Sequence, residues 1–194
     1  MRVAIATCRE MPEPDLDQEP LLEALAGAGI DAELLAWDDP AADPGAFDAC
    51  ILRSTWNYHE QPQQFLDWAE ETSRRTRLLN PLDVVQWNVH KRYLLELESR
   101  GVPIVPTALV SRGSRIRLGE LMEARGWEDV VVKPAISAGS FCTRRFRATE
   151  VDSGKPDGGE LFLRELVADM DALVQRFEPS VADGGERALS LIHI

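Results

Sequence analysis

Two lysines and one small-residue loop carry most of the chemical information in this chain. In VVKPAISAGS, residues 131–140, an apolar strand runs into Lys133, Pro134 ends it, and Ser137, Ala138, Gly139 and Ser140 follow. Strand side chains alternate faces, so Lys133 is expected to point the same way as Val131, inward if the strand is covered. A lysine among apolar neighbours is costly unless an anion meets it. Two hydroxyls and a glycine just downstream supply donors and close backbone approach. A fixed cation beside such a loop can grip a polyphosphate. The competing reading is a strand-end lysine that snorkels to water ahead of an ordinary turn.

Lys91 poses the same alternative. In a helix over residues 88–100, Trp87, Leu94 and Leu95 stand at −4, +3 and +4 from it, so it falls within the apolar stripe. A shared anion would satisfy both lysines, and snorkelling would satisfy each alone. Further on, Gln175, Arg176, Phe177 and Glu178 read as an edge strand with an acidic, Pro-stopped end. Its backbone could face a purine, or it could be a plain surface strand and turn. Thr55, Trp56, Asn57 and Tyr58 follow the third strand, and Cys8 and Arg9 follow the first. Both sets sit where open α/β sheets bind ligands. Phe65 and Trp68 read as core. The carboxylates between Glu10 and Glu19 read as a solvated loop, having neither a paired histidine nor recognisable ligand spacing.

The elements that must position these residues alternate at first. Strands are expected over residues 2–8, 31–37, 47–54 and 77–79, and helices over 19–29 and 62–74. That order argues for a parallel, Rossmann-like sheet. No GxGxxG follows the first strand, so the dinucleotide fingerprint is absent. Beyond the helix at 88–100 the pattern becomes β-rich: an extended stretch at 102–110, strands near 130–133, 143–147 and 173–177, helices at 118–125 and 160–170, and a Gly/Asp/Lys/Pro loop at 152–159. The domains are expected as 1–80, a linking lysine helix at 81–101, and 102–188.

The chain has 194 residues, 44% of them hydrophobic, enough for one domain and part of another. A formal net charge of −12 argues against nucleic acid as a partner, since phosphate backbones attract the opposite balance. It leaves room for a small anion in a locally basic pocket. No apolar run approaches the length of a membrane span, and the N-terminus reads as a first strand instead of a signal peptide. Cys8, Cys50 and Cys142 are odd in number and far apart, which suits reduced thiols in a cytoplasm. Oligomeric state is not legible.

The order of pieces resembles the ATP-grasp superfamily: a lysine segment, a VVKP strand, a small-residue loop, a helix, a Q-x-F-E strand and G-E-R at 185–187. The stretches ATCREMPEPD, AWDDP and RSTWNYHEQPQQFLDW resemble a bacterial carboxylate–amine ligase branch that includes O-ureido-D-serine cyclo-ligase-like proteins. The resemblance covers residues 1–188. It implies an α/β fold, with a Rossmann-like preATP-grasp domain followed by an α+β ATP-grasp lid subdomain and a further C-terminal half. It implies ATP and Mg²⁺ as cofactors and a small amino-acid-like substrate. A carboxylate would be activated as an acylphosphate and attacked by an amine. Lys91 and Lys133 would contact the phosphates, and Ser137, Ala138, Gly139 and Ser140 would close over them. Gln175, Phe177 and Glu178 would line the adenine hinge, and Glu186 would accept from the ribose. Thr55, Trp56, Asn57, Tyr58, Cys8 and Arg9 remain substrate candidates. A non-catalytic nucleotide-binding protein, or a plain Rossmann-like module with structural lysines, is the alternative.

Three departures qualify the resemblance. Arg176 stands where relatives tend to have proline, and Asn57 where they tend to have aspartate. The family's magnesium ligands lie beyond the G-E-R motif, so no metal ligand and no catalytic residue is assigned here. Residues 189–194, LSLIHI, match the translation of a transposase end used as a sequencing-library adapter. The parent is therefore expected to be longer, and this chain by itself inactive.

Overall fold

The computed structural model describes residues 1–151 and 158–181. Two compact units divide the chain, Met1–Val89 and the residues from His90 onward.

The first unit is built on four parallel strands: β1 (Arg2–Thr7), β2 (Asp31–Ala36), β3 (Ala49–Ser54) and β4 (Arg77–Leu79). Helix α1 (Gln18–Gly27) connects β1 to β2, α2 (Pro62–Arg75) connects β3 to β4, and α3 (Leu82–Val89) follows. Five of the six β1 residues are buried, as expected for a parallel strand covered on both faces. Val3 and Ile5 pack with Ala49 against Leu21, Leu22 and Leu25 of α1. Pro62 fits the first turn of α2, where its missing N–H costs nothing, and Phe65, Ala69 and Thr72 share that helix's buried face. Phe65 stacks on Trp68 at 5.9 Å and meets Trp37 edge-on at 5.2 Å. Phe65 is thus core, and Trp68 is its half-buried partner.

The strand order is β2-β1-β3-β4. The chain leaves β1 on one side to make β2, then returns to its other side to make β3. That reversal creates a switch point between β1 and β3, and a crevice opens beyond their carboxyl ends.

The second unit holds α4 (Tyr93–Ser99), β5 (Thr107–Val110), α5 (Leu118–Arg125), β6 (Asp129–Pro134), β7 (Arg144–Arg147), α6 (Ala148–Val151), α7 (Gly159–Asp169) and β8 (Ala172–Arg176). Its sheet is antiparallel with order β5-β8-β6-β7. One face packs Val130, Val132, Phe146 and Val174 against Leu118, Leu121 and Met122 of α5 and Leu163, Leu166 and Val167 of α7. Gly159 is required by this packing, because a Cβ there would lie 2.8 Å from Leu118 Cδ2. Gly126 caps α5 at φ 64°, a left-handed conformation that costs glycine little. β7, an edge strand, is guarded by exposed Arg144, Arg145 and Arg147.

The architecture is the expected mixed α/β one, a parallel sheet followed by an antiparallel one, and several details differ from expectation. The helix expected over 88–100 is two helices, with α3 ending at Val89 and α4 starting at Tyr93. Lys91 lies in the break, because its N–H donates to Ala135 O at 2.8 Å instead of to a helical carbonyl. β8 is an interior strand, paired with both β5 and β6, and so is not an edge. Lys133 shares a face with Val131, but that face is opposite the packed core, which takes Val130, Val132 and Pro134. The extended stretch at 102–110 is regular strand only over Thr107–Val110. Most of the loop at 152–159, Glu186 and residues 189–194 lie outside the described residues.

Candidate nucleotide cavity and switch-point crevice

The half-covered sheet of the second unit explains the first site. α5 and α7 cover one face, and the alternation of β6 and β8 sends Val131, Lys133 and Gln175 to the other. Val131 and Gln175 are register partners across the two strands. Above them a cavity of about 540 Å³ opens, lined by Lys91, Lys133, Ser137, Ala138, Gly139, Ser140, Gln175, Phe177 and Glu178. Val105, Val131, Thr143, Arg176 and Val181 complete the wall. Nine of the ten cofactor-site residues expected from sequence therefore meet in one cavity. The tenth, Glu186, is outside the described residues.

Within this cavity Lys91 Nζ donates to Ser137 O at 2.5 Å and to Ser137 Oγ at 2.9 Å. Ser137 Oγ in turn donates to Pro134 O at 3.3 Å, and Ser137 is 8% exposed. Burial, with help from the Lys133 charge, pushes the Lys91 ammonium down to about 8. Such a group gains from an arriving anion. The rest of the loop is strained: Gly139, Ser140 and Cys142 have φ of 54°, 59° and 47°. Positive φ at a serine and a cysteine is uncommon.

The far end of the cavity is set by the exit from β8. Phe177 N–H donates to Asp129 O at 2.8 Å, and the Arg145 guanidinium lies 3.5 Å from the centre of the Phe177 ring. Arg145 Nε is held by Asp129 Oδ1 at 2.9 Å. Because the Phe177 N–H is engaged, the hinge at 177–178 has its Phe177 carbonyl and its apolar ring to offer a ligand. The sheet neighbours of Phe177 are long-range partners, so this clamp has no signature in local sequence.

The second site lies at the switch point of the first unit. A crevice of about 570 Å³ is lined by Arg9, Glu10, Met11, Pro12, Asp38, Trp56, Asn57, His59, Glu60 and Gln61. Three of the six substrate candidates, Arg9, Trp56 and Asn57, line it. Cys8 does not: it is 3% exposed, with Sγ 3.4 Å from Glu10 O and 3.5 Å from Ser54 O. Burial raises its thiol above the ordinary value, which suits structure better than nucleophilic attack. Tyr58 packs on Phe65, ring centres 5.5 Å apart, and Thr55 O accepts from Tyr58 N–H at 3.1 Å. Asn57 is braced at both ends of its amide. Its Oδ1 accepts from Trp37 Nε1 at 2.7 Å, and its Nδ2 donates to Asp38 Oδ2 at 2.8 Å. Asp38 also accepts from Arg9 N–H at 2.8 Å. Asp38, His59 and Glu60 lie in the AWDDP and RSTWNYHEQPQQFLDW stretches but are not among the site residues expected from sequence; Asp38 follows β2 and shares the carboxyl edge that the switch-point rule singles out.

Glu10, Glu13, Asp17 and Glu19 of the acidic loop are exposed as expected, but Asp15 is not. The Asp15 side chain is 4% exposed and accepts from Arg53 at 3.1–3.2 Å and from Ser54 Oγ. Asp15 thereby ties the loop carrying Arg9–Pro12 to the end of β3.

Among the described residues, no group of three His, Cys, Asp or Glu side chains could hold a metal ion. Mg²⁺ typically takes one or two carboxylates together with substrate phosphates and water, and Glu178 is the one carboxylate among the described residues that line the cavity. No described helix is long and apolar enough to cross a membrane.

Comparison with known proteins shows what the chain is similar to. Residues 3–80 match the family described as D-cycloserine synthetase DcsG, N-terminal domain. Over 182 residues the chain is 34% identical to the cycloserine biosynthesis protein DcsG of Streptomyces lavendulae, covering 91% of this chain and 58% of that protein. The crystal structure of D-cycloserine synthetase DcsG aligns with a TM-score of 0.85 at 31% identity, over 95% of this chain and 62% of that one. An ATP-grasp RimK domain protein from Sphaerobacter thermophilus aligns at 0.63 with 21% identity, over 92% and 65%. D-alanyl-alanine synthetase A from Vibrio cholerae aligns at 0.65 with 10% identity, over 91% and 59%. These two share the fold alone. The chain thus spans about three fifths of the relatives it matches. It is homologous to D-cycloserine synthetase over 182 residues, matches the N-terminal domain of that family over residues 3–80, and shares the fold of the ATP-grasp ligases.

Proposed function

We propose that the protein carrying this chain is an ATP-dependent ligase that joins a carboxylate to an amine, with the 540 Å³ cavity as its nucleotide site. The convergence of Lys91, Lys133 and the 137–140 loop on that cavity carries the reading. Lys91 and Lys133 neutralise the triphosphate. Ser137, Ala138, Gly139 and Ser140 supply hydroxyls and backbone N–H groups to it. Gln175, Phe177 and Glu178 face the base. A substrate carboxylate oxygen attacks the terminal phosphorus, its bond to the bridging oxygen breaks, and ADP leaves. The amine then displaces phosphate from the acylphosphate. Such chemistry depends mostly on positioning and charge neutralisation.

The crevice at the β1/β3 switch point takes the small amino-acid-like substrate, through Arg9, Trp56 and Asn57. Homology to D-cycloserine synthetase supports that substrate class.

The test is ADP release by the whole protein in the presence of a panel of amino acids and their O-substituted analogues. Amine- and carboxylate-dependent ADP release, reduced roughly 30- to 1,000-fold in Lys133→Ala, is the expected result. Tight ATP binding with no turnover on any substrate would make the protein a nucleotide-binding module instead.

A further inference from the structure

We infer that His90 and Asp171 are positioning residues that hold Lys91 at the cavity, a role that rests on reading Lys91 as a phosphate contact. A closed circuit of hydrogen bonds runs through the helix break. The Lys91 N–H donates to Ala135 O at 2.8 Å, and the Ala135 N–H donates to Asp171 O at 2.8 Å. The Asp171 carboxylate returns the circuit: its Oδ2 lies 3.2 Å from His90 Nε2. His90 precedes Lys91 in the chain, which closes the ring.

The tautomer of His90 follows from its other nitrogen. Nδ1 lies 3.1 Å from the Arg92 N–H and accepts from it. The ring proton therefore sits on Nε2, where it is donated to Asp171. Asp171 is also fixed from a third side, since its Oδ1 accepts from the Arg112 N–H at 2.8 Å. Arg92 Nη2 stands 3.6 Å from Oδ2. His90 and Asp171 are each about one-quarter exposed at the side chain, so water competes only partly for these bonds.

The geometry explains why Lys91 leaves the helical path. His90 pins the backbone on one side of Lys91 through Asp171, and its Nδ1 takes the Arg92 N–H on the other. The Lys91 amide is left to meet the end of β6. Nζ then reaches Ser137 from a fixed base. Without the His90–Asp171 bond, the three residues lose the partners that hold the break open, and the lysine loses its fixed origin. A displacement of about 1 Å in a charged contact can cost on the order of a hundredfold in a transition state.

The experiment measures ATP affinity and ADP release in the whole protein for His90→Ala, His90→Gln, Asp171→Asn, Lys91→Ala and the His90→Ala/Lys91→Ala double variant. His90→Ala is expected to weaken ATP about tenfold, and the double variant to be no weaker than Lys91→Ala within about a factor of two. His90→Gln, whose carboxamide can still donate to Asp171, is expected to recover to within about threefold of wild type. Asp171→Asn keeps one acceptor for two donors and is expected to fall between. A purely structural role would lower the melting temperature and act on top of Lys91→Ala, so multiplying losses in the double variant would overturn the inference. Unchanged affinity in His90→Ala would overturn it as well. Unchanged affinity in Lys91→Ala would remove the phosphate role of Lys91 itself, and the positioning role with it.

Discussion

Lys91 Nζ donates to both the carbonyl oxygen and the hydroxyl of Ser137, at 2.5 and 2.9 Å. A half-buried lysine thus holds the first residue of the loop proposed to cover the phosphates. An arriving triphosphate offers the same ammonium a stronger, charged acceptor. Phosphate binding and release of Ser137 are then one event, and the loop is tethered before nucleotide arrives. The expected outcome is measurable by amide exchange. In Lys91→Ala, residues 137–141 should exchange faster without ATP than in wild type. Equal protection in both proteins would show that Lys91 does not hold the loop.

The same lysine gives a pH signature. Its ammonium is shifted from 10.5 to about 8, by burial first and by Lys133 second. The charged form is therefore disfavoured in the folded protein. Below pH 8 the fold carries the full penalty. The penalty shrinks as pH rises from 8 to 10.5, and above 10.5 it is gone. At about 1.4 kcal/mol per pH unit the full penalty is on the order of 3 kcal/mol. Phosphates restore the charge, so ATP binding near pH 8.5 should take up a proton. Calorimetry in buffers of different ionisation enthalpy is the check, and binding heats that do not vary with the buffer would contradict it.

Lys133 should be the larger contributor to phosphate binding, because it projects from the rigid strand β6. Lys133→Ala is expected to cost about 2–4 kcal/mol in nucleotide binding or turnover, the scale of one preorganised charged contact. The thermal midpoint should change little, since the packed core uses the opposite face of β6. Turnover kinetics and a melt on the same preparation separate the two effects.

Much of this arrangement was legible because it is local. Pro62 begins α2, Gly126 ends α5, and the alternation in VVVK sets which side chains of β6 leave the core. The gathering of Lys91, Lys133 and the loop into one cavity followed from the resemblance in motif order. What could not be read depends on partners far along the chain. The break at Lys91 exists because Ala135, 44 residues on, takes its amide. β8 is interior because β5 and β6 both choose it. Asp15 reads as one more carboxylate in a polar loop until Arg53 and Ser54 are brought beside it.

Asp15 accordingly yields a stability prediction. Burial opposes its ionisation, but hydrogen bonds from Ser54 and Arg53 outweigh that and hold the carboxyl below its ordinary value of 3.8. Its contribution is present above that value and is lost as pH falls below it. Asp15→Ala removes the buried carboxylate from Arg53, whose ion pair with Asp17, at 3.1 Å, is exposed, and frees the loop that lines the crevice. The expected cost is about 2–4 kcal/mol, typical of removing one partner from a mostly buried pair. Urea unfolding at pH 7 measures it. Asp15→Asn should lose less, since its amide oxygen can still accept from Ser54.

Asn57 yields the last prediction. Its amide is bonded in both directions, accepting from Trp37 Nε1 at 2.7 Å and donating to Asp38 Oδ2 at 2.8 Å. Asn57→Asp keeps the acceptor for Trp37 but places a second carboxylate oxygen against Asp38. Two carboxylates at that separation cannot both ionise without cost, and one takes a proton at raised pH. The variant should lose about 1–3 kcal/mol at pH 7, where a donor has been replaced by a like charge. The loss should shrink as pH falls and the pair comes to share a proton. A wild-type crevice shape with restored substrate selectivity is expected at low pH, because Asp38, which also holds the Arg9 N–H, is then relieved of the like charge beside it. Denaturant melts of both proteins from pH 4 to pH 8 decide the matter. A stability difference that stays constant across that range would show that Asp38 does not feel position 57.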